Sequence, residues 1–136
     1  MSKSSEARVV RRADGFYAQF CIDYDRTEDR QPTGKTVGID VGISAFYTNS
    51  DGSKVNNPKY LRRSEKVLKR LQKRVSRKFK KGQPQSHNYK KAKQRLARKH
   101  LKVSRQRKDF AVKTALCVVR SNDLVAYEDL KVRADG

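Results

Sequence analysis

Two hydrophobic rhythms share the chain. Up to residue 56 apolar positions mostly alternate with polar ones, the period of a half-buried strand; from there to about residue 120 they recur at three, four and seven, the period of a helix. After the turn signal Asp14-Gly15, the residues Phe16, Ala18, Phe20, Ile22 and Tyr24 fall on one side of a predicted strand, and Val9-Val10 supply its hairpin partner. Asp25 to Gly34 is polar, contains Pro32 and reads as a linker. In the next strand Val37, Ile39, Val41 and Ile43 share a face while Asp40 projects from the other, with Gly38 and Gly42 beside it. Ala45 to Asn49 follows as a second strand, and the tight-turn sequence Asn49-Ser50-Asp51-Gly52 leads to Lys54-Val55, an antiparallel meander.

Asn57-Pro58 ends this section, and helix formers take over. A first helix is expected from Lys59 to Lys80, with Leu61, Leu68, Leu71 and Val75 on one stripe, and residues 81–86 break it. In the second helix Tyr89, Leu96, Val103, Phe110 and Cys117 recur every seven residues. So short a break predicts an antiparallel pair, a helical hairpin over 59–120 with its narrow stripes buried together. The far end of the second helix, from Phe110 to Val119, is more apolar and is expected to pack on a sheet. Ser121-Asn122 stops it, and the apolar run Asp123 to Leu130 predicts an interior strand covered on both faces.

Charge is concentrated in the helices. Lys59 to Lys108 holds 22 Lys and Arg with one acid, Glu65, whereas the remaining 86 residues are almost balanced, so the net +20 is one block. With so few acids there are few i,i+4 ion pairs to neutralise it, and a polyanion, most simply nucleic acid, is the natural partner. The candidate phosphate contacts are Arg62, Arg63, Lys66, Lys69, Arg70, Lys73, Arg74 and Arg77 on the first helix, and Lys90, Lys91, Arg95, Arg98, Lys102 and Arg105 on the second. His87 and His100 receive no chemical role. Cys21 and Cys117 form no C-x-x-C or Cys/His ladder, so neither a disulfide framework nor a zinc site is expected, and Cys117 is read as core. No apolar run reaches membrane-spanning length and no signal-peptide centre stands at the start, which suggests a protein of the cell interior with no membrane partner.

Among the acids, Asp40 and Glu128 stand out because each lies within or at the end of an apolar strand, where an unpaired charge is costly. Carboxylates converging from neighbouring strands repel one another, and a divalent cation relieves that repulsion. Turn, capping and helix-pairing roles are the plainer readings of acids at strand ends. Asp129 points away from Glu128 if the strand continues, and Asp135 sits near the end of the chain, so both are weaker ligand candidates.

Four passages in order carry a resemblance: Gly38-Ile39-Asp40-Val41-Gly42, Asn57-Pro58-Lys59-Tyr60-Leu61-Arg62, Gln106-Arg107-Lys108-Asp109-Phe110 at the end of the basic block, and Tyr127-Glu128-Asp129-Leu130. Together they resemble the TnpB (OrfB) family of insertion-sequence-encoded proteins, related to type V CRISPR nucleases, over about Thr36 to Val132. The resemblance implies an α/β fold: part of an RNase H-like (RuvC) sheet with the basic hairpin inserted, preceded by a short β segment. Residues 1–30 then end a preceding barrel-like domain, and 31–136 form the N-terminal part of the nuclease domain.

The resemblance further implies an RNA-guided DNA endonuclease acting in the cytoplasm at the nucleoid, with DNA and a guide RNA as partners. Asp40 and Glu128 fall on the first and second catalytic, metal-binding carboxylates, and Mg²⁺ or Mn²⁺ is the expected cofactor. Family members continue with paired C-x-x-C motifs and a third catalytic Asp, and this sequence reaches Gly136 before either. It therefore reads as a fragment whose C-terminal half is a further partner. Whether it cleaves is left open, the alternative being a non-catalytic nucleic-acid-binding remnant or regulator.

Overall fold

The computed structural model describes residues 7–25 and 30–128. The expected continuation of the last strand to Leu130, and the weaker candidates Asp129 and Asp135, lie outside them. The chain forms an α/β structure of two compact units, each assembled from two stretches of sequence: residues 1–29 with 61–106, and residues 30–60 with 107–136.

In the first unit, β1 (Ala7–Arg12) and β2 (Gly15–Phe20) pair antiparallel from Ala7↔Phe20 to Arg12↔Gly15 around the turn Ala13-Asp14. Regular pairing stops at Phe20, so Ile22 and Tyr24 fall beyond the strand in which alternation had placed them. The hairpin's turn is fastened to a helix: Arg98 Nε donates to Ala13 O at 3.2 Å, and Arg105 grips Asp14.

The helices are α1 (Tyr60–Lys78) and α2 (His87–Ser121), the latter continuing into the second unit. Pro58 and the Asn57 side chain, whose Oδ1 accepts from Lys59 N at 3.0 Å, set the entry to α1. Ser86 Oγ accepts from Tyr89 N at 3.2 Å and caps the start of α2. At its far end Ser121 Oγ and Asn122 Nδ2 donate to the Cys117 and Val118 carbonyls, satisfying acceptors that the helix leaves open. Between the helices Gln85 folds back on Lys80 O at 2.6 Å, and Phe79 and Tyr89 pack with ring centroids 6.0 Å apart. Leu68, Val75 and Val103 are buried as the stripes predict, and Ser64 joins them.

The second unit holds a sheet in the order β5-β4-β3-β6, with β3 (Thr36–Val41), β4 (Ala45–Asn49), β5 (Lys54–Asn56) and β6 (Leu124–Tyr127). β3 to β5 form the predicted meander; β6 returns after α2 and pairs parallel to β3. β4 carries a bulge between Ala45 and Tyr47, and the extra residue lets neighbours Phe46 and Tyr47 both reach α2. Phe46 meets Phe110 edge-on at 4.9 Å. Tyr47 is buried, and its phenol is pushed up by burial and then by Cys117 of α2 and Asp51.

Two expectations are corrected here. Cys117 is exposed, and Val118 takes the buried position. A strict seven-residue repeat drifts about 20° per heptad on a straight helix, so four heptads past Tyr89 the stripe has turned by nearly one residue. Likewise β6, read as interior, is an edge strand among the described residues, with Leu124 and Tyr127 exposed. Apolar residues on both faces gave no information about which edge had a neighbour.

Candidate active site and nucleic-acid interface

Asp40 lies in β3 opposite Thr48 of β4, on the sheet face away from Tyr47 and α2, and its carboxylate is exposed. On its other side the parallel pairing runs Thr36↔Leu124, Val37↔Val125, Gly38↔Ala126, Ile39↔Tyr127. Continued one step past the last registered pair, the same register would set Glu128, also exposed, beside Asp40. Neighbouring strands lie about 4.8 Å apart and residues in register share a face, so in that register the two carboxylates would fall on one side of the sheet. The residues preceding them on that face, Gly38 and Ala126, are small, and among the described residues the Ser50 side chain is what lies within 4 Å of where a Gly38 Cβ would stand, at 3.6 Å. The face is open.

Two carboxylates on adjacent strands suit a single Mg²⁺ or Mn²⁺, which keeps most of its waters and takes one or two protein oxygens. No group of three or more His, Cys, Asp or Glu side chains gathers at one place among the described residues.

The entry ends of the same two strands are tied together. Asp123, just before β6, accepts from Thr33 N and Thr33 Oγ1, each at 2.9 Å, and from Gly34 N at 2.7 Å, while its own N–H donates to Lys35 O at 2.8 Å. Gly34 has φ 68°, a conformation that favours glycine. These contacts, led by the Thr33 N–H, hold the Asp123 carboxyl below its ordinary value. Nearby Arg30 donates to Val119 O at the end of α2.

In the first unit all fourteen candidate cations are exposed, but the structure sorts them. Lys66, Lys69, Arg70, Lys73, Arg74 and Arg77 border one open groove along α1, a rail that at 1.5 Å per residue is about 16 Å long. A second groove, between the helices, is lined by Arg74, Lys78, Lys91 and Arg95 over Leu71 and Ala92, with Asn88 at its end. Leu71 and Arg74 thus face Ala92 and Arg95, and Lys78 faces Asn88, the expected antiparallel arrangement. Lys69 forms an i,i+4 ion pair with Glu65 at 2.7 Å.

Arg98 and Arg105 are engaged by the β1–β2 hairpin. Arg105 NH1 donates to Asp14 Oδ2, and its NH2 lies 3.4 Å from Oδ1 and 2.7 Å from the Tyr17 hydroxyl, which itself donates to Asp14 at 2.8 Å. The Arg105 guanidinium and then Tyr17 hold the Asp14 carboxyl below its usual range. Arg62, Arg63, Lys90 and Lys102 border neither groove.

Lys78, Asn88 and Asp123 were missed from sequence. Lys78 had a signal, its i+4 spacing from Arg74; Asp123 had none, because its partners lie about 90 residues away.

A family profile described as "Probable transposase" (OrfB_IS605) matches residues 19–135. A protein of Streptomyces pristinaespiralis named "Putative RNA-guided DNA endonuclease" is 44% identical over 101 residues, 74% of this chain and 24% of the relative. "Putative RNA-guided DNA endonuclease InsQ" of Escherichia coli K12 is 33% identical over 101 residues, again 74% of this chain and 24% of the relative. The chain therefore spans about a quarter of the length of these curated relatives. With the meander, the basic helices and the strand before Glu128 all inside the matched region, the chain belongs to the OrfB_IS605 family of transposases, the TnpB-type proteins that its motifs resemble.

Proposed function

We propose that this chain supplies the first part of a RuvC-type, RNase H-like nuclease site, together with the nucleic-acid-holding arm, of an RNA-guided DNA endonuclease. The observation that supports this reading is the parallel register of β3 and β6, which, continued one step past Ile39↔Tyr127, would align Asp40 with Glu128. These two carboxylates are the proposed metal ligands. A bound Mg²⁺ or Mn²⁺ would supply charge neutralisation at the scissile phosphate and an activated water. Asp40 and Glu128 fix the cation on the open face; without it, two adjacent anions repel each other and any phosphate. The rail and the inter-helix groove hold DNA or guide RNA by phosphate contacts, which set position and not sequence. The rest of the ligand set, and most of the domain that residues 1–30 end, would come from the parts of the relatives that this chain does not span.

The test adds the remaining C-terminal segment of a full-length relative in trans and measures Mg²⁺-dependent cleavage of guide-matched DNA. Cleavage is expected to appear, and Asp40→Ala or Glu128→Ala to abolish it. Cleavage that survives Asp40→Ala would remove the assignment. A second reading, a non-catalytic binding protein, draws on the lack of a three-residue ligand cluster among the described residues. It predicts nucleic-acid binding indifferent to Mg²⁺ and to both substitutions.

A further inference from the structure

We propose that Asp123 is a positioning residue that sets the register in which Asp40 and Glu128 meet. β3 and β6 are short, four paired positions in all, and come from distant parts of the chain, with no turn between them to impose alignment. Register in such a pair is normally specified by a buried face, yet Leu124 and Tyr127 are exposed, which leaves Val125 half-buried as the apolar anchor of β6. A slip of one residue would carry Glu128 to the opposite face from Asp40.

The structure places a many-toothed contact where the slip would have to begin. One carboxylate takes two backbone N–H groups and a hydroxyl from Thr33-Gly34, and the backbone N–H of the same residue donates to Lys35 O. Thr36 and Leu124, the first registered pair, follow immediately. Moving β6 by one residue would break all four contacts together, and Gly34 in its left-handed conformation offers its N–H to the carboxylate only in this arrangement. Charge adds to shape, since hydrogen bonds to an ionised acceptor are roughly twice as strong as neutral ones. The carboxylate that aligns the strands stands at their entry, and the two proposed to work stand at their exit.

The functional meaning rests on the preceding section, so the test reads position without cleavage. In the full chain with Cys21→Ser and Cys117→Ser, Asp40→Cys and Glu128→Cys are introduced and disulfide formation is followed under oxidised glutathione by mass spectrometry. Adjacent strands in register place Cα atoms within the roughly 4.4–6.8 Å that a disulfide needs. Asp123→Ala should slow cross-linking about tenfold or more, with Asp123→Asn between, because a one-residue slip turns one thiol to the other face. Thr33→Val, which removes only the hydroxyl contact, gives a smaller slowing in a chain that stays folded. Asp51→Ala is the control: it deletes a carboxylate that accepts from Ser53 N at 2.8 Å within the β4–β5 turn and makes no contact to β6 among the described residues, and should leave the rate unchanged. Equal rates in the parent and in Asp123→Ala, with α1 and α2 still protected from hydrogen exchange, overturn the latch alone. A parent pair that never cross-links overturns the latch and the site reading together.

Discussion

The two units solve opposite electrostatic problems. In the first, cations crowd two helices whose buried stripe is as narrow as Leu68, Val75 and Val103, and among the described acids Glu65 pairs with Lys69 and Asp14 with Arg105. In the second, the exposed Asp40 shares its sheet face with Thr48 and Lys54, and the exposed Glu128 follows the strand on its other side. On the proposed reading the first unit takes a polyanion and the second a small cation, so the two should respond differently to salt and to divalent ions.

The largest effect that should separate the units is that of salt. With about six phosphate contacts on the rail, raising monovalent salt from 50 to 200 mM should weaken binding of an RNA or DNA oligonucleotide roughly 10³-fold. Fluorescence anisotropy measures this, and without divalent ions Asp40→Ala and Glu128→Ala should leave the slope unchanged. A nearly flat salt dependence would break the comparison. Next, Arg70→Ala, Arg74→Ala and Arg77→Ala combined should lower the logarithmic salt slope by about 2 to 3, at 0.7–0.9 per contact. Arg105→Ala should change that slope by much less than one such contact, because its guanidinium is spent on Asp14 and Tyr17. It should instead deprotect the β1–β2 amides in hydrogen exchange.

The pH extremes give a smaller contrast. Asp14 and Asp123 both have folded carboxyls below their ordinary values, so their stabilisation is present above the unfolded value near 3.8 and is lost as pH falls through the lower folded one. Both units should therefore loosen at acid pH. Tyr47 runs the other way: with its folded phenol raised above 10.0, its contribution is complete below that value and is lost as pH climbs past it. Near-ultraviolet circular dichroism at alkaline pH should show the sheet unit failing first, and Tyr47→Phe should remove that transition.

Much of this was legible in the residues. Alternation found β3, β4 and the meander, and helical spacing found both helices, while isolated acids in apolar strands made Asp40 and Glu128 the candidates on which the proposal rests. What escaped was relational. Cys117 and Val118 exchange places because the repeat that names the stripe is slightly shorter than two helical turns. Arg105 looks like its neighbours in composition, and only the hairpin beside it tells its role. Asp123 read as a strand residue, since a carboxylate's partners are invisible when they lie so far along the chain. The edge position of β6 depends on neighbours that local hydrophobicity cannot name.

The parallel pairing of β3 with β6 has a consequence for how the molecule comes into being. Closing a loop of about 80 residues costs entropy that grows only as the logarithm of its length, but contacts so far apart form slowly. On the ribosome the meander and the helical arm can be complete while β3 still has one bare side. The proposed cation site therefore comes into existence only once β6 pairs with β3, after the arm has been synthesised.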